Sequence, residues 1–291
     1  MFAAVLAWRT FSDLDFGIHV ASGRWIVAHR QVPQTDAFTW TVPDHRYVAY
    51  HWLFQIALYG LEQGGVLLLT GARWLLVMAT FLLIGDVVRR RHSDPAVAIV
   101  CGLIAILASE WRFDLRPELV SYLLIALTLW LLERQRRGDR IPVWALASVQ
   151  LVWVNSHIYV FGWAVMAAYA IEAVIRTGRL DRWFLQAYGL ALLAVFVNPY
   201  HLEAVLYPMT LATRMDADNL FARHISELAS PFGLRSDPRF PQATFDPFLF
   251  YKVFLGLGVI AIPGLLRRRC WADLMLLLCF GGLSSLAVRN G

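Results

Sequence analysis

The run VLLLTGARWLLVMATFLLIGDVVRRR, residues 66–91, decides the fold: a long succession of apolar and small positions closed by three arginines. A bilayer core about 30 Å thick takes roughly 20 apolar residues as a helix, and residues 66–88 supply them. The same pattern recurs along the chain. Stretches near 95–110, 117–133, 141–155, 158–176, 183–198, 247–266 and 270–288 read as further spans, several close to the lower length limit. With 58% hydrophobic and only 16% charged residues, the chain is too apolar for a soluble domain of 291 residues. The expected class is an all-α polytopic membrane protein with about eight or nine transmembrane helices.

Arginine closes four of these stretches, at 89–91, 134–140, 176–182 and 267–269, which together hold 13 of the 26 basic residues. By the positive-inside rule these loops face the cytoplasm. The polar motifs then fall on the opposite, extracytoplasmic side: Asp13 and Asp15, Arg112 to Glu118, Asn155 to His157, Asn198 to His201, and the segment from Asp216 to Asp246. The excess of +5 is therefore mostly a topology signal, and no compact basic domain exists to hold nucleic acid. Cys101, Cys270 and Cys279 lie in or beside apolar spans without CxxC spacing, which excludes a disulfide framework or a cysteine zinc site.

Residues 1–291 read as a single membrane domain, incomplete at both ends, with 1–12 as the tail of a first helix. The outer loop, 13–64, carries two expected interfacial helices, Asp15 to Arg30 ended by Pro33, and Tyr47 to Leu61. Between them Phe38, Trp40 and Val42 alternate with polar residues as a short extended piece. A second outer segment, 200–246, opens with an interfacial helix over Leu202 to Thr213.

The residues able to carry chemistry sit at these outer turns. Asp15 and His19, at i and i+4, share a helix face. A carboxylate at a half-dry surface serves as general base or metal ligand, whereas Ser12 and Asp13 also suit a helix cap. Arg112 and Arg116 offer bidentate donors to phosphate, or pair with Asp114 and Glu118. Pro117 suits the first turn of the next helix. Asn155 and His157 are polar groups at membrane depth, and His157 alternatively caps a helix break. Asn198-Pro199 reads as a helix terminator. His51 and Gln55 share a face of the second interfacial helix, and Arg223 to Glu227 is a lid contact or a solvated turn.

Taken together, DLDFGIHVASGRWIVAHRQVPQTDAFTWT (13–41) and VAYHWLFQIAL (48–58) resemble the first outer loop of bacterial membrane proteins of the GT-C glycosyltransferase superfamily, related to the protein mannosyltransferases of glycosyltransferase family 39. The matching positions are Asp13, Asp15, His19, Gly23, Pro33, Asp36, Phe38, Thr39, Trp52 and Leu53. Arg116-Pro117, Trp153-Val154-Asn155 with His157, Asn198-Pro199-Tyr200, and Ile225-Ser226-Glu227 with Ser230-Pro231 follow in order. His51 stands where Glu is common, and Leu228 where Trp is usual.

The resemblance implies a GT-C-like bundle in the cytoplasmic membrane, transferring a sugar with inversion from a polyprenyl-phosphate donor to an extracytoplasmic acceptor. Asp13 or Asp15 would be the base, with Asp15 favoured because His19 can orient it. His19, Arg112, Arg116, His157 and Glu227 would bind substrate or phosphate. A divalent metal, if used, would fall to Asp13, Asp15 and His19. A non-catalytic scaffold of the same fold, or a lipid or solute transporter, are the alternatives; the outer clustering of motifs and the lack of a visible repeat count against transport.

Orientation is checked by thiol labelling in a background without native cysteines. Cysteines at Ser93, Gly138 and Gly178 are expected to stay shielded from a membrane-impermeant reagent in intact cells, and those at Ser156 and Ser236 to react. The reverse pattern would move every candidate group to the other compartment.

Overall fold

In a computed structural model of the protein, residues 2–7, 15–41, 45–91, 94–214, 231–232 and 246–286 are described. The described residues are helical apart from turns, irregular connections and one isolated antiparallel bridge between Thr35 and Arg46. The helices are α1 (Phe2–Leu6), α2 (Phe16–His29), α3 (Trp52–Gln63), α4 (Val66–Arg90), α5 (Pro95–Ser109), α6 (Pro117–Arg136), α7 (Trp144–Val154), α8 (Val160–Thr177), α9 (Arg182–Ala194), α10 (Leu202–Arg214), α11 (Pro247–Arg267) and α12 (Trp271–Leu286). Four helices are long and apolar enough to cross a membrane: α4, α5 extended through a 3-10 turn to Arg112, α8 and α11. Helices α7, α10 and α12 are shorter apolar segments. This is an all-helical membrane protein.

Helix starts follow local chemistry. Asp94, Asp181 and Asp246 each accept hydrogen bonds from first-turn amides of α5, α9 and α11, and Pro95, Pro117 and Pro247 occupy first-turn positions where an N–H is dispensable. Gly178 ends α8 in the left-handed region, with φ 74°. Helix α9 ends at Ala194, short of Asn198, which was expected to terminate it; Asn198 instead shapes the following turn, its Oδ1 accepting from the Tyr200 amide at 2.8 Å.

All four arginine clusters meet at one end of the bundle. Glu133 on α6, 1% exposed, accepts from Arg91 at 3.0 Å, from Arg137 at 3.1 Å and from Arg136, with Nη2 to Oε2 at 2.9 Å. Arg91 also donates to Asp273 of α12 at 2.6 Å. Glu172 on α8 accepts from Arg136 at 3.0 Å, from Arg176 at 3.2 Å and from the Ala272 amide at 2.7 Å. Arg176 donates to the Arg269 carbonyl at 3.2 Å. Tyr169 donates to Glu133 at 3.3 Å from within the network. The charges are multiply hydrogen-bonded, the condition under which burying them is tolerable.

At the opposite end the loop 15–63 lies against the bundle, and here two sequence expectations fail. Helix α2 ends at Arg30 in the left-handed conformation, φ 54°, before Pro33 is reached. It also buries a small and polar face, His19, Ser22 and Gly23 with Val20 and Ile26, while Ile18 is exposed. Close approach explains this: a Cβ at Gly23 would lie 2.0 Å from the Gln55 carbonyl oxygen of α3, so only glycine fits. The second loop helix begins at Trp52 rather than Tyr47. Ser156 is 3% exposed, so exposed Gln34 at the same end is the better labelling position.

If the Glu133 network joins the helices energetically, Glu133→Ala removes the acceptor shared by three partly exposed guanidinium groups, of which Arg91 keeps Asp273 and Arg136 keeps Glu172, at a cost of about 1–3 kcal/mol. The expected result is a lower thermal midpoint for the purified protein. A midpoint equal to wild type would show that the network contributes nothing net.

Candidate functional site

The charged turn between α5 and α6 is the centre of the end opposite the arginine clusters. Arg116 is the N-cap residue of α6 and Asp15 that of α2, yet neither side chain caps its own helix. Instead the Asp15 carboxylate faces the Arg116 guanidinium at 3.7 Å, with 60% of the Asp15 side chain exposed and 22% of Arg116. The expected pairing within the turn is replaced. Arg112 lies 3.8 Å from Glu118, and Asp114 lies 3.9 Å from Arg73. These pairs stand beyond hydrogen-bond range, in contrast to the 2.6–3.2 Å separations at the other end. Arg112 also stacks over Trp111, 4.0 Å from the ring centroid.

Beside these charges the loop and bundle meet through aromatic and amide groups. His19 shares a hydrogen bond with Gln55 (Nδ1 to Nε2, 3.3 Å) and packs edge-on against His51. His51 stacks on His157. His157 Nδ1 is 2.7 Å from the Ser121 hydroxyl, which accepts from the Trp153 indole at 2.8 Å. Asn155 joins three elements: its Oδ1 accepts from the Trp52 indole at 2.8 Å, while its Nδ2 donates to the carbonyls of Leu151 and Val197 at 2.8 and 3.0 Å.

The loop is pinned a second time. Tyr200 donates to the Pro33 carbonyl at 2.6 Å and accepts from the Ala49 amide at 3.0 Å. Burial pushes its hydroxyl up to about 12, so it stays a donor. Arg46 pairs with Glu203 of α10. Within the loop Asp36 accepts from the Thr39 hydroxyl and from the Phe38 and Thr39 amides, making a turn where an extended piece was expected. The Thr39 hydroxyl and the Phe38 amide hold the Asp36 carboxyl below its ordinary value.

Of the expected site residues, the structure brings together Asp15, His19, Arg112, Arg116 and His157 around the start of α6. Asp13 and Glu227 lie outside the described residues. His51 and Gln55, secondary candidates from sequence, lie in the seam itself. Arg73, fully buried, was missed, although an ionisable residue inside an apolar span is itself a signal. Buried Glu110 and Ser121 were missed too, the serine carrying no distinguishing spacing. Among the described residues no group of three or more His, Cys, Asp or Glu side chains is placed to hold a metal ion. Comparison with protein-family models, curated proteins and solved structures gives no match.

The Asp36 turn supplies a pH test. Its carboxyl is depressed when folded, so its contribution to the loop is present above the ordinary 3.8 and is lost as pH falls through the lower folded value. Hydrogen exchange across residues 34–47 should accelerate there beyond its intrinsic rate, and Asp36→Asn should remove that acid step. An unchanged acid step in the variant would transfer it to another group.

Proposed function

We propose that this protein is an integral membrane glycosyltransferase, moving a sugar from a polyprenyl-phosphate donor to an acceptor on the extracytoplasmic side. The observation that carries the reading is the exposed Asp15 carboxylate facing the largely buried Arg116 guanidinium at 3.7 Å. The ordered resemblance to GT-C enzymes supports it, as does the convergence of Arg112, His157 and His19 on the start of α6. So does an apolar groove of about 330 Å³ between α4 and α5, lined by Met78, Phe81, Leu103 and Ile106. Phe81 packs against Phe113, next to Arg112, so the groove wall adjoins the charged turn. A lipid-linked donor enters from the bilayer, and such a groove suits its chain.

In the proposed reaction the donor phosphate takes the guanidinium fork of Arg116, with Arg112 beside it, and releases the Asp15 carboxylate. Asp15 accepts the proton of the acceptor hydroxyl. The oxygen attacks the anomeric carbon from the face opposite the phosphate, and the bond from that carbon to the phosphate oxygen breaks. Its electron pair leaves with polyprenyl phosphate, whose charge the arginines stabilise. The sugar is transferred with inversion. On this reading α6, α7, α9 and α12 join the four apolar helices in a bundle of eight spans, or nine with the first helix.

The test is release of polyprenyl phosphate from synthetic polyprenyl-phosphate hexose and pentose donors in proteoliposomes. Asp15→Asn keeps the shape and should slow transfer about 10²- to 10⁴-fold while preserving donor binding. Arg116→Lys should lose much of the activity, because an ammonium cannot reproduce the planar fork. Wild-type rates in Asp13→Asn, Asp15→Asn and their double variant would leave a scaffold or transporter reading ahead.

A further inference from the structure

The turn between α11 and α12 is closed by an arginine where a matching turn of the chain uses glycine. The Arg269 amide donates to the Leu266 carbonyl at 3.1 Å and the Cys270 amide to the Leu265 carbonyl at 2.9 Å. That closure puts Arg269 in the left-handed region, φ 54°. The α6–α7 turn makes the equivalent bonds to Gln135 and Arg134 around Gly138, φ 90°. Glycine takes this conformation without steric cost, and arginine does not. Topology does not account for the choice either. With glycine at 269, Arg267 and Arg268 would still mark the side of the membrane.

Arg269 belongs to a cationic patch. Arg176 donates to its carbonyl at 3.2 Å, which joins the end of α8, just before Arg179, to the α11–α12 turn. Arg179, Arg267, Arg268 and Arg269 are all exposed. The acidic groups of this region are engaged elsewhere. Glu172 is buried against Arg136, Arg176 and the Ala272 amide, Asp273 holds Arg91, and Asp181 caps α9. Among the described residues no carboxylate pairs with Arg179, Arg267, Arg268 or Arg269. The patch also borders an apolar surface: Ile175 and Leu266, 54% and 45% exposed, lie at the ends of the apolar helices α8 and α11.

We propose that this patch binds an acidic phospholipid of the adjoining leaflet. Its phosphodiester takes the guanidinium groups of Arg179, Arg268 and Arg269, and its acyl chains lie along Ile175 and Leu266. A soluble anion would satisfy the arginines and leave the apolar border unused, so the contiguity of the two surfaces selects a lipid. The left-handed backbone at 269 is retained because it adds a guanidinium to the site. The site lies at the end opposite Asp15 and Arg116 and is independent of the reaction proposed above.

The purified full-length protein in neutral detergent tests this, titrated with dioleoylphosphatidylglycerol, dioleoylphosphatidylcholine and inorganic phosphate. Native mass spectrometry reads lipid retention, and the thermal midpoint is followed alongside. Phosphatidylglycerol should bind at least about fivefold more tightly than phosphatidylcholine and raise the midpoint. Arg269→Gly should raise the midpoint of the lipid-free protein, by relieving the turn, yet weaken phosphatidylglycerol binding about fivefold. Adding Arg268→Gln should bring the loss to about 25-fold, and if that double variant does not fold the single one decides. Arg24→Gln, the same charge lost at the other end, should leave affinity within about twofold. Equal retention of the two lipids, unchanged affinity in Arg269→Gly, a midpoint lowered by that substitution, or an equal loss in Arg24→Gln overturns the proposal. Stabilisation by inorganic phosphate as large as that by phosphatidylglycerol also overturns it, leaving a site for soluble anions.

Discussion

A buried carboxylate shared among arginines holds one end of this bundle. Glu133 alone would be an expensive charge among apolar helices, and Arg91, Arg136 and Arg137 would repel one another without it. With Glu172 and Asp273 the network ties the last turns of α4, α6 and α8 to the first turn of α12.

The two ends use charge in opposite ways. At the arginine end, several donors converge on Glu133 and on Glu172 at hydrogen-bond distance, which fixes side chains and helices alike. At the other end Asp15, Asp114 and Glu118 each face a guanidinium at nearly 4 Å, and the polar seam is completed by imidazole, amide and indole groups. Tight networks suit a scaffold. Loosely opposed charges in partial contact with solvent suit a place where a ligand can substitute for one partner.

Much of the architecture was legible because it rests on local rules. Apolar runs marked the four helices long and apolar enough to cross a membrane, Pro117 marked a helix start, and arginine clustering marked the shared end. The loop was less legible for a physical reason. Helix α2 packs through Gly23 and Ser22 against the backbone of α3, so its buried face lacks the apolar stripe that periodicity detects. The charge pairing of Arg112 and Arg116 also defeated sequence proximity. Their partners depend on how α2 and α4 approach α6, and neighbours in the chain point to other neighbours in space. The Asp36 turn shows the converse: its residues were singled out by motif, and the structure gives them a local hydrogen-bonding reason.

The ties made by Asn155 and Tyr200 carry a consequence for biosynthesis. Trp52 bonds to a residue 103 positions later, and Pro33 to one 167 positions later. At roughly 5–20 residues per second, the first partner trails the loop by about 5–20 seconds. During that interval α2 and α3 have emerged with their small, polar face and histidines uncovered, while the helices that receive them are still within the ribosome. The newborn loop thus passes through a waiting period in which a protease or a folding helper can reach it. Its capture is a late event that seals the assembly once α7 and the turn after α9 have been made.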